Sequence, residues 1–514
     1  MVNTQNEPMA SGKFEPTWQS LEQYQVPDWF RDAKFGIWAH WGPQCQPERG
    51  DWYARGMYQK DNWQYREHLK RYGDPAKFGF KDVINDWKAE NFNPDELVAL
   101  YKRAGAQYFF AMASHHDNFD MWDSAYQPWN SVALGPKKNI IAGWAKAARA
   151  NGLKFGVSIH AAHAWTWYEP SQDFDGRLSK ADGVGTWWEG LDPMTDLYAQ
   201  NHARSAGSER SNSIHSQWFW DNGASTPDQA YCDKFYNRTA DLIDKYKPDL
   251  IYFDDTVLPL WPVSDAGLKI ASHYYNSSMK WSDGKLDVVL FGKILNEQQR
   301  KCMVWDIERG QSPGIEPFPY QTDTCIGGWH YDRGIYDRGD YKSAETVIRM
   351  LVDVVSKNGN LLLNVPVRGD GTIDEKERAI VQGITTWMDV NKEAIFGTRP
   401  WKVCGEGPQL AASEPMSGPG FNEGKGKPLS ADDIRYTVKG DVLFAFVLGK
   451  PAGDVQFTKL GSAEHLLEGH IESVEQLGAG KVKWTQTEGA LVVTPDLSKV
   501  AAPDQTLVFR VMKK

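Results

Sequence analysis

Five cysteines in 514 residues, at positions 45, 232, 302, 325 and 404, leave no Cys-x-x-Cys pair. Neither a thiolate zinc site nor a disulfide scaffold is implied. No run of 18 apolar residues occurs, so no membrane-spanning helix and no membrane partner are expected. Basic residues are in deficit. The 57 Lys and Arg face 67 Asp and Glu, and the net charge of −10 argues against nucleic acid as a partner. No internal repeat of fixed period is present. Met1 to Lys13 are polar and lack the apolar core of a signal peptide. Periplasmic or secreted placement is expected if such a peptide has been removed, and cytoplasmic placement otherwise. Oligomeric state is not legible.

What the chain has in excess is tryptophan: 23 residues, within 13% aromatics overall. Many must be core. The flat indole also stacks on the C–H face of sugar rings, so the excess fits carbohydrate handling.

A flexible lead is expected over residues 1–17, within an N-terminal segment 1–26. From there short apolar runs alternate with helical patterns. Strands are expected at 34–42, 107–113, 153–160, 250–255, 287–291, 302–308 and 359–365, with an eighth near 325–331. Helices are expected at 27–33, 94–104, about 139–151, about 231–246, about 343–357 and 374–391. Residues 43–93 read as loop-rich, and 161–229 as a long Trp-rich insertion. This rhythm argues for a parallel sheet with helical crossovers. A doubly wound sheet would carry a Gly-rich phosphate turn after its first strand, and none is present. The expectation is therefore an α/β fold: a (β/α)8-type barrel over 27–398. Beyond Pro400 the amphipathic helices stop. Runs at 434–438, 442–448, 482–485, 491–494 and 506–511 predict a C-terminal antiparallel β-sandwich over 399–514.

The chemistry centres on Leu250-Ile-Tyr-Phe-Asp254-Asp255, an apolar run ending in two acids. The C-terminal ends of barrel strands face the active site. Alternation sends Ile251 and Phe253 to the helix layer and Tyr252 and Asp254 to the barrel axis. A second carboxylate, Glu308, ends Trp305-Asp306-Ile307-Glu308 before a Gly turn. A single acid at a strand end is more often a helix cap or an ion-pair partner. Two of them on neighbouring rims fit glycosidic cleavage, where one carboxylate attacks or activates water and a neutral one protonates the leaving oxygen. His40, His115, His116 and His160 are predicted at the same end of the barrel. His115 and His116 are expected to point to opposite sides, so neutral donors to sugar hydroxyls fit better than a metal site. Trp38, Trp52, Tyr53, Trp165, Trp167 and Trp329 are candidate walls.

Lys34-Phe-Gly-Ile-Trp-Ala-His-Trp-Gly42, Asp51-Trp-Tyr53, Ser114-His-His-Asp117, Tyr252-Phe-Asp254 and Leu351-Val-Asp-Val-Val-Ser-Lys-Asn-Gly-Asn-Leu-Leu-Leu-Asn364 resemble the glycoside hydrolase family 29 α-L-fucosidases. The resemblance runs from about 28 to 395 and implies a retaining exo-fucosidase acting on a fucosylated oligosaccharide or glycan through a covalent fucosyl-enzyme. It matches Asp254 to the nucleophile and favours Glu308 as acid/base, with Glu297 and Glu316 as alternatives. By the same resemblance His40, Trp52, His115 and His116 would bind fucose hydroxyls; Asp51, Tyr53 and His160 are further candidate substrate contacts. Trp329 would be a wall near the acid/base. No metal and no cofactor is implied. The chain departs from the family where many members have Glu in place of Asp51, and where many have Tyr and Ser at the end of the third strand while this chain has Ser158-Ile159-His160. The inserted 161–229 region, with Trp165, Trp187, Trp188, Trp218 and Trp220, would border outer subsites. Rival readings are an α-L-galactosidase, a metal-dependent hydrolase built on His40, His115 and His116, and a non-catalytic carbohydrate-binding barrel.

Overall fold

The computed structural model describes residues 1–205, 220, 226–411, 422–425, 427–499 and 506–514. Trp218 lies outside them. Eight parallel strands close into a barrel in chain order: β1 Phe35–Ala39, β2 Tyr108–Ser114, β3 Lys154–Ile159, β4 Leu250–Phe253, β5 Val289–Gly292, β6 Val304–Glu308, β7 Tyr320–Cys325 and β8 Gly359–Asn364. β1 pairs with β8 to complete the ring.

The strands are buried on both faces, as a helix-wrapped parallel sheet requires. Large rings fill the axis because small residues make room for them. A Cβ on Gly36 of β1 would fall 2.1 Å from the Tyr108 ring of β2, and one on Gly156 of β3 would fall 2.8 Å from Phe110. Crossover helices start where side chains cap them. Asn139 caps Ile140–Ala150, and Asp374 forms a reciprocal capping box with Glu377 at the head of Glu375–Asn391.

Two expectations are corrected. The strand expected near 325–331 lies earlier, as β7. Its Tyr-Gln-Thr-Asp-Thr-Cys sequence is polar because Gln321 and Asp323 point into the barrel, where they meet Tyr108 and Tyr252. The lead is not a loose arm. Val2 N–H donates to Asp265 and Phe14 N–H to Asn276, and the Tyr24 ring stacks on Tyr275 at 4.9 Å. These contacts lie on or beside the helix Ala266–Trp281, which has no sequence counterpart above. The lead covers the helix's outer side, so it is buried almost all round and shows no amphipathic stripe.

Beyond the barrel, a six-stranded antiparallel sheet contains β9 Arg399–Glu406, β10 Ile434–Lys439, β11 Val442–Val447, β13 Ile471–Gln476, β14 Gly480–Lys481 and β17 Leu507–Lys513. A three-stranded sheet of β12 Val455–Phe457, β15 Lys483–Gln486 and β16 Leu491–Thr494 packs across it, with Phe457, Leu491, Tyr436 and Phe509 in one shared core. Phe444, Phe446 and Val508 on the other face join the barrel's core.

Candidate active site

Residues following β2 to β5, and the last residue of β6, converge at the barrel mouth. Asp254, one residue past β4, accepts from His116 Nε2–H at 3.1 Å and from His160 Nδ1–H at 3.0 Å. Its other oxygen accepts from Lys293, one residue past β5. The same ammonium donates to Glu308 at the end of β6. Lys293 was not singled out from the sequence, although it obeys the same strand-end rule as the two acids.

Electrostatics separate the two carboxyls. Burial alone would raise the Asp254 pKa, but Lys293 and the hydrogen bonds from His116 and His160 outweigh it and hold that carboxyl well below its usual range. Glu308 is shifted upward by burial and by the Asp254 charge, against the pull of Lys293. Lys293 is held firmly protonated: its two carboxylate partners overcome the cost of burial. Beneath them, burial pushes Asp306 up to about 7 and, with the Asp306 and Glu308 charges, raises Asp323 well above the usual range. Asp306 accepts from the Gln321 amide at 2.8 Å, and Asp323 from the Tyr252 hydroxyl at 3.0 Å.

The histidines form one cluster. The His115 and His116 rings are 4.6 Å apart rather than on opposite sides, since both lie past the end of β2, where strand alternation no longer applies. His40 packs 4.8 Å from His160 and 4.7 Å from His330, a histidine in the loop after β7 that was not singled out from the sequence. Burial lowers the pKa of His40, His115 and His116, and takes His160 down to about 4, so these four rings are neutral. Both ring nitrogens of His40 and Nε2 of His160 are buried without a hydrogen-bond partner among the described residues. Such atoms suit ligand hydroxyls.

His40, His115 and His160 offer ring nitrogens within 4.8 Å of one another, as do His116 and His160 with Asp254. The hydrogen bonds disfavour a cation at either place. His116 and His160 turn N–H groups on Asp254. Gln44 Oε1 accepts from Ala54 N–H, which leaves its amide to donate to His115 Nδ1 and puts the His115 proton on Nε2.

The other predicted residues divide. Trp52 sits with its ring 6.3 Å from His116 and in a left-handed backbone conformation (φ 62°), which costs a bulky residue about 1–3 kcal/mol. Asp51 accepts from the backbone N–H groups of Trp329 and His330, tying its loop to the one after β7. The Trp329 ring packs on Trp38 and His40. Trp167 packs 5.6 Å from His116. Tyr53 turns away and donates to or accepts from His68 at 2.7 Å, so it does not join the cluster. Trp165 stacks on His202, Trp220 on His163, and Trp187 donates to Asp82. Of the alternative acids, Glu297 is exposed, and Glu316 is engaged by Arg300 and Ser312. A cavity of about 380 Å³ opens beside Asp51 and Trp52, with the half-exposed Trp63 on its wall.

Comparison with known proteins agrees with this arrangement. The family model described as Alpha-L-fucosidase matches residues 1–393. Rat tissue alpha-L-fucosidase is 24% identical over 508 residues, covering 95% of this chain and 90% of the relative. Human plasma alpha-L-fucosidase is 26% identical over 398 residues, covering 76% and 74%. Among solved structures, Thermotoga maritima alpha-fucosidase with a mechanism-based inhibitor superposes with a TM-score of 0.72 at 24% identity, over 97% of this chain and 100% of that one. Isoenzyme 1 from Paenibacillus thiaminolyticus gives 0.64 at 20% identity, over 96% and 100%. With more than half of the sequence matched by the family model, this chain belongs to the alpha-L-fucosidase family and is a glycoside hydrolase.

Proposed function

We propose that this fucosidase removes terminal α-L-fucosyl units from glycans by double displacement with net retention. Asp254 attacks C1 of the fucosyl unit, forming a C1–Oδ bond as the C1–O bond to the aglycone breaks. Glu308 transfers its proton to the departing oxygen. Water then attacks C1 and yields its proton to Glu308, and Asp254 leaves as a carboxylate with L-fucose free.

The observation that carries this reading is the single ammonium shared by both carboxyls. Two hydrogen bonds to one nitrogen limit the facing oxygens to about 6 Å apart. Retaining enzymes hold their carboxyl groups about 5–5.5 Å apart, and inverting ones about 6.5–9.5 Å. The opposed pKa shifts supply the second requirement, an ionised nucleophile beside an acid that holds its proton longer. The neutral His40, His115, His116 and His160, with Trp52 and Trp329, would bind the sugar's hydroxyls and apolar face. A solved neighbour is described in complex with fucose, which supports the choice of sugar. Asp51 and Trp52 enter this reading as substrate contacts; Tyr53, facing His68, does not.

The test is the anomer first released from 4-nitrophenyl α-L-fucoside, followed by proton NMR. Retention gives α-L-fucose before mutarotation, and first-formed β-L-fucose would contradict it. Comparing kcat/KM with the α-L-galactoside settles the sugar. A hydrophobic pocket rejects one added hydroxyl by only about 10²-fold.

A further inference from the structure

Glu308 is the last residue of β6, and the turn after it is held from outside the barrel. Arg309 adopts a left-handed conformation (φ 46°), so the chain swings sharply just past the carboxylate. Its N–H donates to Asp323 O at 2.9 Å, and Thr322 Oγ1 donates to Gly310 O at 3.0 Å. Those bonds come from β7. The rest come from a loop of the C-terminal domain, between β9 and β10. Asn422 treats Gln311 as a strand partner: its Oδ1 accepts from Gln311 N–H at 2.7 Å, and its Nδ2 donates to Gln311 O at 3.0 Å. Glu423 N–H donates to Arg309 O at 2.8 Å. The Glu423 carboxylate accepts from Thr324 Oγ1 of β7 and from Lys342, both at 2.6 Å, with Arg309 3.9 Å away.

We propose that Asn422 and Glu423 are positioning residues for Glu308, so that the C-terminal domain helps to place the proton donor over the departing oxygen. The inference rests on the reading of Glu308 as acid/base. The physical case is one of leverage. Without the clamp, the turn keeps, among the described residues, its two bonds to β7. A carboxyl that drifts about 1 Å from its productive place loses roughly 10²-fold in rate. Asn422 and Glu423 are buried or nearly so, which shields these bonds from competing water. The contact differs in kind from the rest of the domain interface. It reaches the residues beside the reacting centre, whereas the sheet face packs on barrel helices.

The test compares Asn422→Ala, Glu423→Gln and Glu308→Ala in the full-length enzyme on two substrates. Phenyl α-L-fucoside needs protonation to expel its leaving group, and 2,4-dinitrophenyl α-L-fucoside does not. The clamp variants are expected to lose about tenfold in kcat/KM, which reports the step that expels the leaving group, on the phenyl substrate and less than twofold in kcat/KM on the dinitrophenyl one. Glu308→Ala should show the same selectivity more strongly. Equal losses on both substrates in the clamp variants, while Glu308→Ala stays selective, would overturn the clamp alone. Equal losses in Glu308→Ala would remove Glu308 as the acid, and the clamp's role with it. A fall in melting temperature does not mimic the expected result, because lost folded enzyme lowers both rates alike. Glu423→Gln retains size and fold if Asn422→Ala does not.

Discussion

Two of the buried charge clusters in this molecule are built to opposite ends. At the barrel mouth two carboxylates, Asp254 and Glu308, share one cation, Lys293, and His40 and His160 beside them keep ring nitrogens without partners among the described residues. Between the barrel helix Ala344–Ser356 and the C-terminal sheet, one carboxylate has two cations. Asp353 Oδ1 accepts from Arg435 Nε at 2.6 Å and Oδ2 from Lys357 at 2.8 Å. Arg435 also donates to Ile434 O, and Asp353 is held below its usual pKa because these two cations outweigh its burial. The second cluster is saturated and joins two domains. The first leaves acceptors and donors facing one space. Burying charge costs several kcal/mol per ion, and at the mouth that cost is left partly unmatched, where a substrate can match it.

Substitutions should separate the two clusters. Asp254→Ala should cost the most, about 10⁴-fold in kcat or roughly 5.5 kcal/mol, with the melting temperature little lowered. Arg435→Met should do the reverse. It leaves a buried carboxylate facing Lys357 alone and should cost about 3–5 kcal/mol of stability by denaturant titration, with kcat of the folded fraction unchanged. Lys293→Met comes next, at about 10²-fold in kcat. Its pH profile gives the sign. The ammonium lowers the pKa of both carboxyls, so its removal should move the acid limb, where Asp254 must be ionised, and the alkaline limb, where Glu308 must be protonated, to higher pH. An unchanged alkaline limb would break the link between Lys293 and Glu308. His160→Phe should have the smallest effect on the acid limb. It deletes one of the two imidazole hydrogen bonds to Asp254 and should shift the acid limb to higher pH, by less than Lys293→Met does.

The barrel was legible because its apolar strands alternate with helices, and Asp254 and Glu308 were legible because each ends such a strand. β7 was obscured by its own function. Gln321, Thr322, Asp323 and Thr324 are fully buried polar residues, and their hydrogen bonds inside the barrel leave no apolar signal. The helix Ala266–Trp281 was obscured by burial on all sides, a tertiary fact. Lys293 followed only a four-residue strand, and its place between two acids depends on how β4, β5 and β6 sit side by side. The adjacency of His115 and His116 depends on a turn, where period-two reasoning lapses. Tyr53 sat beside two residues of the site in the sequence, but it belongs to the short helix Tyr53–Gly56, which carries its ring toward His68.

The central claim is that Asp254 forms a covalent bond to the sugar. It is tested most directly by giving Asp254→Ala sodium azide with 4-nitrophenyl α-L-fucoside. The account predicts that the lost nitrophenol release is restored by azide and that the product is the inverted β-L-fucosyl azide. Substantial hydrolysis by Asp254→Ala without azide, or rescue that yields the α-azide, would contradict it.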